Sequence, residues 1–318
     1  MMKRESYFDN AKAILIFLVV FAHFIEPVIS QNWFLNTLFL FIYLFHMPAF
    51  IFISGYFSNN RTEKGWIKKI IDKFLIPYIV IQLLFVLFTK LIGLSNYGFT
   101  LFTPAYIYWY LFAMFAWNIG LRIIKLLQIE VKYSIILSII LSLFVGYLNF
   151  VSWKLSLSRI IVFFPFFLLG YYFKTNSIKP KDIIKNKVVA LLIMIIAAAI
   201  IIFSNQSING NWLFCASSYA GLGASGIEGL IIRTVIYIVQ FSMMFAFFRL
   251  VTRRENKFTY VGSRTLSIYI VHGFIVKLLV STSFYEEVNM LSMFLMFIFS
   301  CVTVSILSLL PQSIIRKK

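Results

Sequence analysis

Apolar residues follow one another along the chain in long runs, each closed by charged or turn-forming residues. A helix that crosses the hydrocarbon core of a bilayer takes roughly 17 to 25 mostly apolar residues. By that measure the pattern predicts ten spans, over 11–30, 33–57, 74–93, 105–121, 133–151, 157–173, 188–203, 230–250, 265–281 and 290–310. Several are short, and Pro165 interrupts the sixth. The residues Ala22-His23-Phe24 lack the small-x-small pattern of a signal-peptidase site, so the first span is expected to stay as a helix. No internal repeat or low-complexity tract occurs, and the longest loop, 204–229, carries the Gly/Ser-rich stretch Ala220–Gly226. The expectation is an all-α integral membrane protein of about ten helices. Residues 1–318 would form a single polytopic membrane domain, with no soluble domain.

Composition narrows the class further. Of the 318 residues 61% are hydrophobic and only 13% charged, with a mean hydropathy of +0.90. A soluble surface needs about a quarter charged residues, so a soluble enzyme, a disordered tail and a secreted disulfide scaffold are excluded. Cys215 and Cys301 are far apart and match no metal or disulfide framework. The 29 Lys+Arg against 11 Asp+Glu give a net charge of +18, which in a soluble chain would suggest nucleic acid. Here the basic residues sit between apolar runs and read as topology signals. Lys3, Arg4 and Lys12 open the first span, and Arg61, Lys64, Lys68, Lys69 and Lys73 separate the second from the third. Arg122, Lys125 and Lys132 follow the fourth, five lysines between 174 and 187 follow the sixth, and five basic residues between 249 and 264 join the eighth to the ninth. Arg316, Lys317 and Lys318 close the chain, and the opposite side holds only Lys154 and Arg159. Ten spans put all these basic groups on one side, so both termini are predicted cytoplasmic. No nucleic-acid partner and no metal are expected.

Ionisable residues inside a bilayer are costly and mark pathways or sites. His23, His46 and His272 all fall within spans, as do Glu26, Lys90, Arg233 and Lys277; Lys90 and Lys277 lie near enough to helix ends to snorkel. Arg233 follows Glu228 by five residues, which suggests a simple ion pair. The first span is the most informative. Lys12 and His23 are eleven residues apart, which places them within about 20° of one helix face and about 16 Å apart along the axis. Glu26 shares that face, three residues beyond His23. A cation at one mouth and a titratable pair three turns inward suit a long anionic donor whose reactive end reaches across the membrane. Histidine moves protons near neutral pH, and Glu26 can hold its tautomer as the third member of a triad does. The structural alternative leaves His23 bonded to a neighbouring helix, Lys12 as a topology charge and Glu26 as an end cap.

This span resembles the membrane acyltransferase 3 family, through Lys12-x10-His23 preceded by Asp9-Asn10. Phe45–Phe57 (FHMPAFIFISGYF), Lys68–Tyr78 (KKIIDKFLIPY), Tyr108–Trp117 (YWYLFAMFAW), Phe163–Phe173 (FFPFFLLGYYF) and Gly262–His272 (GSRTLSIYIVH) are similar, in the same order, to the branch related to fucose 4-O-acetylases and envelope polysaccharide O-acetyltransferases. The resemblance implies acyl-coenzyme A as co-substrate, with acetyl-coenzyme A the expected form, and His23 as the catalytic residue. Two departures stand out. The family often has Arg where this chain has Lys12, and many members carry two arginines three apart where Lys69 and Lys73 are four apart. Some relatives continue into an extracytoplasmic hydrolase-like domain for which this chain has no room, so transfer is expected to finish in the membrane domain or on another protein.

With that donor, Lys12, Lys68, Lys69 and Lys73 are candidates for its phosphates, with topology the equal alternative for the last three. His46, just before Met47-Pro48, His272, Trp109, Tyr110 and Arg159 are candidates for the acceptor. Against these stand an interhelical hydrogen bond for His272, an interfacial aromatic belt for Trp109 and Tyr110, and a solvated loop position for Arg159. Ser54-Gly55-Tyr56 and Gly262-Ser263 read as tight turns at helix ends. The expected function is transfer of an acyl group, most simply acetyl, from cytoplasmic acyl-coenzyme A to a hydroxyl of an envelope polysaccharide or lipid-linked glycan. His23 would act as general base or as an acyl carrier. Membrane lipid surrounds the chain, and a bacterial plasma membrane is the expected location. The alternative is a transporter or flippase for an envelope lipid or glycan intermediate, for which the absent internal repeat is unfavourable.

Overall fold

All ten apolar stretches are helical in the computed structural model, which describes residues 5–58, 65–94, 101, 103–151, 156–204 and 208–310. The topology charges Lys3, Arg4, Arg61, Lys64, Lys154, Arg316, Lys317 and Lys318 lie outside the described residues. In chain order the helices are α1 (Ser6–Ile25), α2 (Trp33–Tyr43), α3 (His46–Tyr56), α4 (Trp66–Ile70), α5 (Ile76–Leu91), α6 (Trp109–Leu126) and α7 (Val131–Phe144). They continue with α8 (Leu157–Thr175), α9 (Lys187–Ser204), the single turn α10 (Asn211–Phe214), α11 (Gly226–Leu250), α12 (Lys257–Gly262), α13 (Thr265–Val280) and α14 (Met290–Ser308). No strand occurs among the described residues. Seven of the described stretches are long and apolar enough to cross a membrane: Ser6–Val28, Trp33–Tyr56, Trp66–Leu91, Leu157–Thr175, Lys187–Ser204, Gly226–Leu250 and Met290–Ser308. Val131–Tyr147 and Thr265–Val280 are apolar but shorter, and α6 carries Asn118, Arg122 and Lys125 in its second half.

Prolines account for two departures from the predicted spans. The second span is broken into α2 and α3 at Leu44-Phe45, because Pro48 has no N–H to offer the carbonyl four residues back and its ring crowds it. The third span begins at Trp66 rather than 74 and passes through a π-helical turn, Ile71–Leu75, before Pro77. A π turn absorbs the misfit that proline imposes on an α-helix. Lys68, Lys69 and Lys73 therefore ride on a continuous helical segment rather than in a loop.

Packing is closest where side chains vanish. α3 meets α8 along its length, and Gly55 and Gly170 face each other's helix so closely that a methyl group on either would enter the opposite backbone. Gly262 likewise abuts the Asp9 carbonyl of α1. Gly55, in the last turn of α3, and Gly262, the last residue of α12, thus sit at helix ends as expected and serve there as contact points. α1 touches α2, α3, α12, α13 and α14. Its start is tied down: Tyr7 Oη donates to Phe248 O (2.6 Å), and Asn10 Nδ2 donates to Thr252 O (3.0 Å) and Arg254 O (2.9 Å). Away from this centre, α9 exposes Leu192, Ile195, Ile196 and Phe203, an apolar belt that water would penalise and lipid accepts. Arg233 does not pair with Glu228. Its Nη1 donates to Trp212 O and Cys215 Sγ, both 2.9 Å away, while Glu228 closes the capping box of α11 with Ser225.

Candidate active site

One face of α1 organises the site. Lys12, Ile16, Val19 and His23 recur at helical spacing and line a cavity of about 660 Å³. α6 runs beside it in the opposite sense. Ser58, just past α3 and the Phe57 ring beneath Lys12, donates to Asn118 Oδ1 (2.8 Å) near the end of α6, whereas Tyr106, before its start, meets His23 (3.1 Å). The lining of α6 therefore passes from Trp109 and Tyr110 at the histidine end to Asn118 and Arg122 at the lysine end.

At the histidine end His23 Nδ1 lies 2.8 Å from Glu26 Oε2. The carboxylate only accepts, so Nδ1 carries the proton and Nε2 keeps its lone pair for chemistry. Tyr106 Oη donates to the same Oε2 (3.1 Å), and the Lys277 ammonium rests over the Tyr106 ring, 4.2 Å from its centroid. Tyr106 sits in the left-handed region at φ 50°, a conformation that costs a bulky residue energy and persists only where neighbours impose it. The neighbours are evident. Buried Gln82 donates to Thr103 O (3.0 Å) and accepts from Ala105 N (2.8 Å). Tyr269 Oη donates to Ile107 O (2.6 Å), and Tyr108 Oη donates to Ile270 O (3.0 Å). The segment before α6 is thus clamped between α5 and α13 with the Tyr106 hydroxyl delivered to the His23–Glu26 pair.

At the other end Lys12 Nζ pairs with the buried Asp9 carboxylate at 2.6 Å. Lys69, Lys73 and Arg122 join Lys12 in the lining, and no Asp or Glu lines the cavity among the described residues. Between the two ends lie Met47, Phe50, Met114 and the Ser54–Tyr110 pair. Ser54 Oγ donates to Phe50 O (3.0 Å), so the Tyr110 hydroxyl donates to Ser54. The arrangement offers a cationic mouth, an apolar and hydroxyl-lined passage, and a base with one free nitrogen. No group of three or more His, Cys, Asp or Glu residues suited to a metal occurs among the described residues.

The acyltransferase 3 family model, described as an acyltransferase domain, matches residues 5–310. The chain belongs to that family. It is therefore a membrane acyltransferase by class, built of several membrane-length helices. A stretch of 60 residues is 45% identical to Nodulation protein NolL of Sinorhizobium fredii (strain NBRC 101917 / NGR234), and equally to that of Mesorhizobium japonicum (strain LMG 29417 / CECT 9101 / MAFF 303099). The match covers 18% of this chain and 16% of each relative, so only a small part of those proteins is spanned. No solved structure matches the chain.

Of the residues singled out from the sequence of this family member, Lys12, His23, Lys69, Lys73, Trp109 and Tyr110 line the cavity, and Glu26 is bonded to His23. Lys68 is not in the lining. His46 is buried behind the site. Its Nδ1 donates to Ile42 O (2.8 Å) across the α2–α3 break, and its ring stands 4.7 Å from that of Tyr43, itself 6.4 Å from His23. His272 is also buried, donating to Ile268 O (2.9 Å), with its ring 5.5 Å from that of His23. Arg159 is not a solvated loop residue. It lies in α8, buried, donates to Phe214 O (3.0 Å), and places its guanidinium over Trp109 at 5.2 Å. Sequence reasoning missed Tyr106, Gln82, Tyr269 and Trp66 as participants and took Arg122 as a topology charge. The one sequence cue was Gln82, a lone amide within an apolar span.

Proposed function

We propose that the protein transfers an acyl group, acetyl in the simplest case, from acyl-coenzyme A to a hydroxyl of a cell-envelope glycan. The observation that carries this reading is one cavity with cations at one end and His23, tethered to Glu26, at the other. The donor's phosphates would sit near Lys12, Lys69 and Lys73, and its acyl arm would run along the passage toward His23. His23 Nε2 takes the acceptor's hydroxyl proton as that oxygen attacks the thioester carbonyl. The carbon–sulfur bond breaks, and the proton passes to the departing thiolate, leaving an ester and free coenzyme A. Glu26 holds the tautomer and stabilises the imidazolium; Tyr106 fixes Glu26. Trp109 and Tyr110 would meet the acceptor, with Arg159 supporting the Trp109 ring and His46 and His272 packed behind His23. We place ten crossings in the membrane with both termini in the cytoplasm, since the basic segments then share the side from which acyl-coenzyme A arrives. That membrane is taken to be a bacterial plasma membrane, the one that borders an envelope glycan.

The test uses purified full-length protein supplied with acetyl-coenzyme A and envelope glycan. Release of free thiol and formation of a glycan ester are expected, and both are lost in His23→Ala at unchanged protein level. An intact thioester with the wild-type protein, or undiminished ester formation by His23→Ala, overturns the assignment.

A further inference from the structure

Among the cavity's lining residues one is a guanidinium, Arg122. Met114, Asn118 and Arg122 follow at four-residue intervals and all line the cavity, so they form the face of α6 that closes it. The Arg122 guanidinium lies over the indole of Trp66, 5.6 Å from the ring centroid, and Trp66 lines the same cavity. Arg122 Nε is buried with no hydrogen-bond partner among the described residues. A buried donor left without an acceptor is costly, and that cost is relieved where the acceptor arrives with a ligand.

The surroundings define the ligand's charge. Lys12, Lys69, Lys73 and Arg122 gather in the lining, while the described carboxylates stay out of it. Cationic side chains gathered around a recess lined by apolar side chains draw anions there, even with Lys12 paired to Asp9 behind it. Lysine supplies a point charge, whereas arginine offers a planar fork that fits two oxygens of one phosphate. A cation–π contact with an aromatic face limits where that fork can go. The three lysines come from α1 and the segment that leads into α5, and Arg122 brings a fork to the same mouth from α6.

We propose that Arg122, backed by Trp66, is the phosphate fork of a nucleotide subsite whose ligand is a nucleoside carrying at least two phosphate groups. Lys12, Lys69 and Lys73 neutralise the remaining phosphate charge. This deepens the proposed acyl-coenzyme A reading and rests on it, the ligand being the nucleotide end of that donor.

The test titrates adenosine 3′,5′-bisphosphate and coenzyme A into full-length protein in lipid nanodiscs by calorimetry. The variants are Arg122→Gln, Arg122→Lys and, as a charge control, exposed Lys185→Gln. Arg122→Gln should weaken binding of both by about tenfold or more, the effect of one charge-assisted hydrogen bond. Arg122→Lys should lose most of that affinity because the fork is gone, and Lys185→Gln should bind as wild type does. The KM for acetyl-coenzyme A should rise in step while kcat holds. Binding within twofold of wild type in both arginine variants overturns the subsite and leaves the donor assignment standing. A wild-type protein that binds neither ligand overturns both. If Arg122→Gln does not accumulate, Arg122→Lys, which keeps charge and helix propensity, carries the test.

Discussion

Replacing Glu26 by Gln keeps the side chain's size and an oxygen that can accept from His23, and removes the charge. His23 Nδ1 and Glu26 Oε2 are 2.8 Å apart. When Nε2 takes the acceptor's proton the ring becomes an imidazolium, attracted to the carboxylate by about 4 kcal/mol for charge centres ~4 Å apart at an effective dielectric near 20. The two side chains keep 13% and 28% of their surface exposed, and water reaching the pair weakens that attraction. A loss of about 2 kcal/mol in the transition state, or roughly 30-fold in rate, is therefore expected. Tyr106→Phe removes the hydroxyl that donates to the same Oε2. Its effect should be smaller, about tenfold, at the low end for a hydrogen bond to a charged group. Because the hydroxyl acts through Glu26, the two changes must not add, and the double variant should fall about as far as Glu26→Gln alone. The assay is kcat for thiol release from acetyl-coenzyme A with glycan in excess, per mole of protein in nanodiscs. A wild-type rate for Glu26→Gln, or full additivity of the two changes, refutes the assigned roles.

Gln82→Leu removes both bonds that hold residues 103–105; it should lower kcat several-fold in the wild-type background and have little further effect beside Tyr106→Phe. Equal effects in both backgrounds would detach Gln82 from the placement of Tyr106. Gly170→Ala forces a methyl group into the α3 backbone and should destabilise the helix pair by about 2 kcal/mol or more, the upper range for overpacking. It should be read as a lowered melting temperature in detergent; an unchanged melt would mean that the two helices separate without penalty.

The helices were legible because a bilayer selects for length and apolarity, both local properties of the chain. Lys12 and His23 were legible as a pair for a related reason: one helix carries both, and its phase follows from their spacing. The π turn ahead of Pro77 and the break ahead of Pro48 were accessible only as proline positions, since the length of the distortion depends on what the helix packs against. Tyr106 and Arg122 were not accessible at all. They meet α1 and α4 across helix contacts whose register a single sequence does not encode. The left-handed turn of Tyr106 depends on Gln82 and Tyr269, from two other helices. The intramembrane histidines show the limit of the rule that ionisable groups mark sites. His23, His46 and His272 are alike in sequence, yet two of them donate to a carbonyl four residues back on their own chain, and only His23 lines the cavity. A bond from Nδ1 to the histidine's own helix lowers the cost of burying the ring, so burial of an imidazole in the membrane does not by itself mark a site.

The His23–Glu26 bond also bears on the order of events. With Nδ1 committed to the carboxylate, Nε2 is the one nitrogen of His23 able to react. It can take the acceptor's proton or hold an acyl group, but not both at once. An acyl-histidine route would therefore need another group, a second imidazole or Glu26 itself, to deprotonate the acceptor. The nearest imidazole, His272, has an Nε2 that is buried and lacks a partner among the described residues, and it is absent from the cavity lining. His272 therefore presents no atom to an acceptor held in the passage beside His23. On the proposed reading, direct transfer within a ternary complex is the route expected. Mixed rapidly with acetyl-coenzyme A in the absence of glycan, the protein should release no burst of thiol, and the two substrates should give intersecting double-reciprocal plots. A burst of one thiol per protein molecule, together with acetyl label recovered on His23, would refute direct transfer while leaving His23 as the reacting residue.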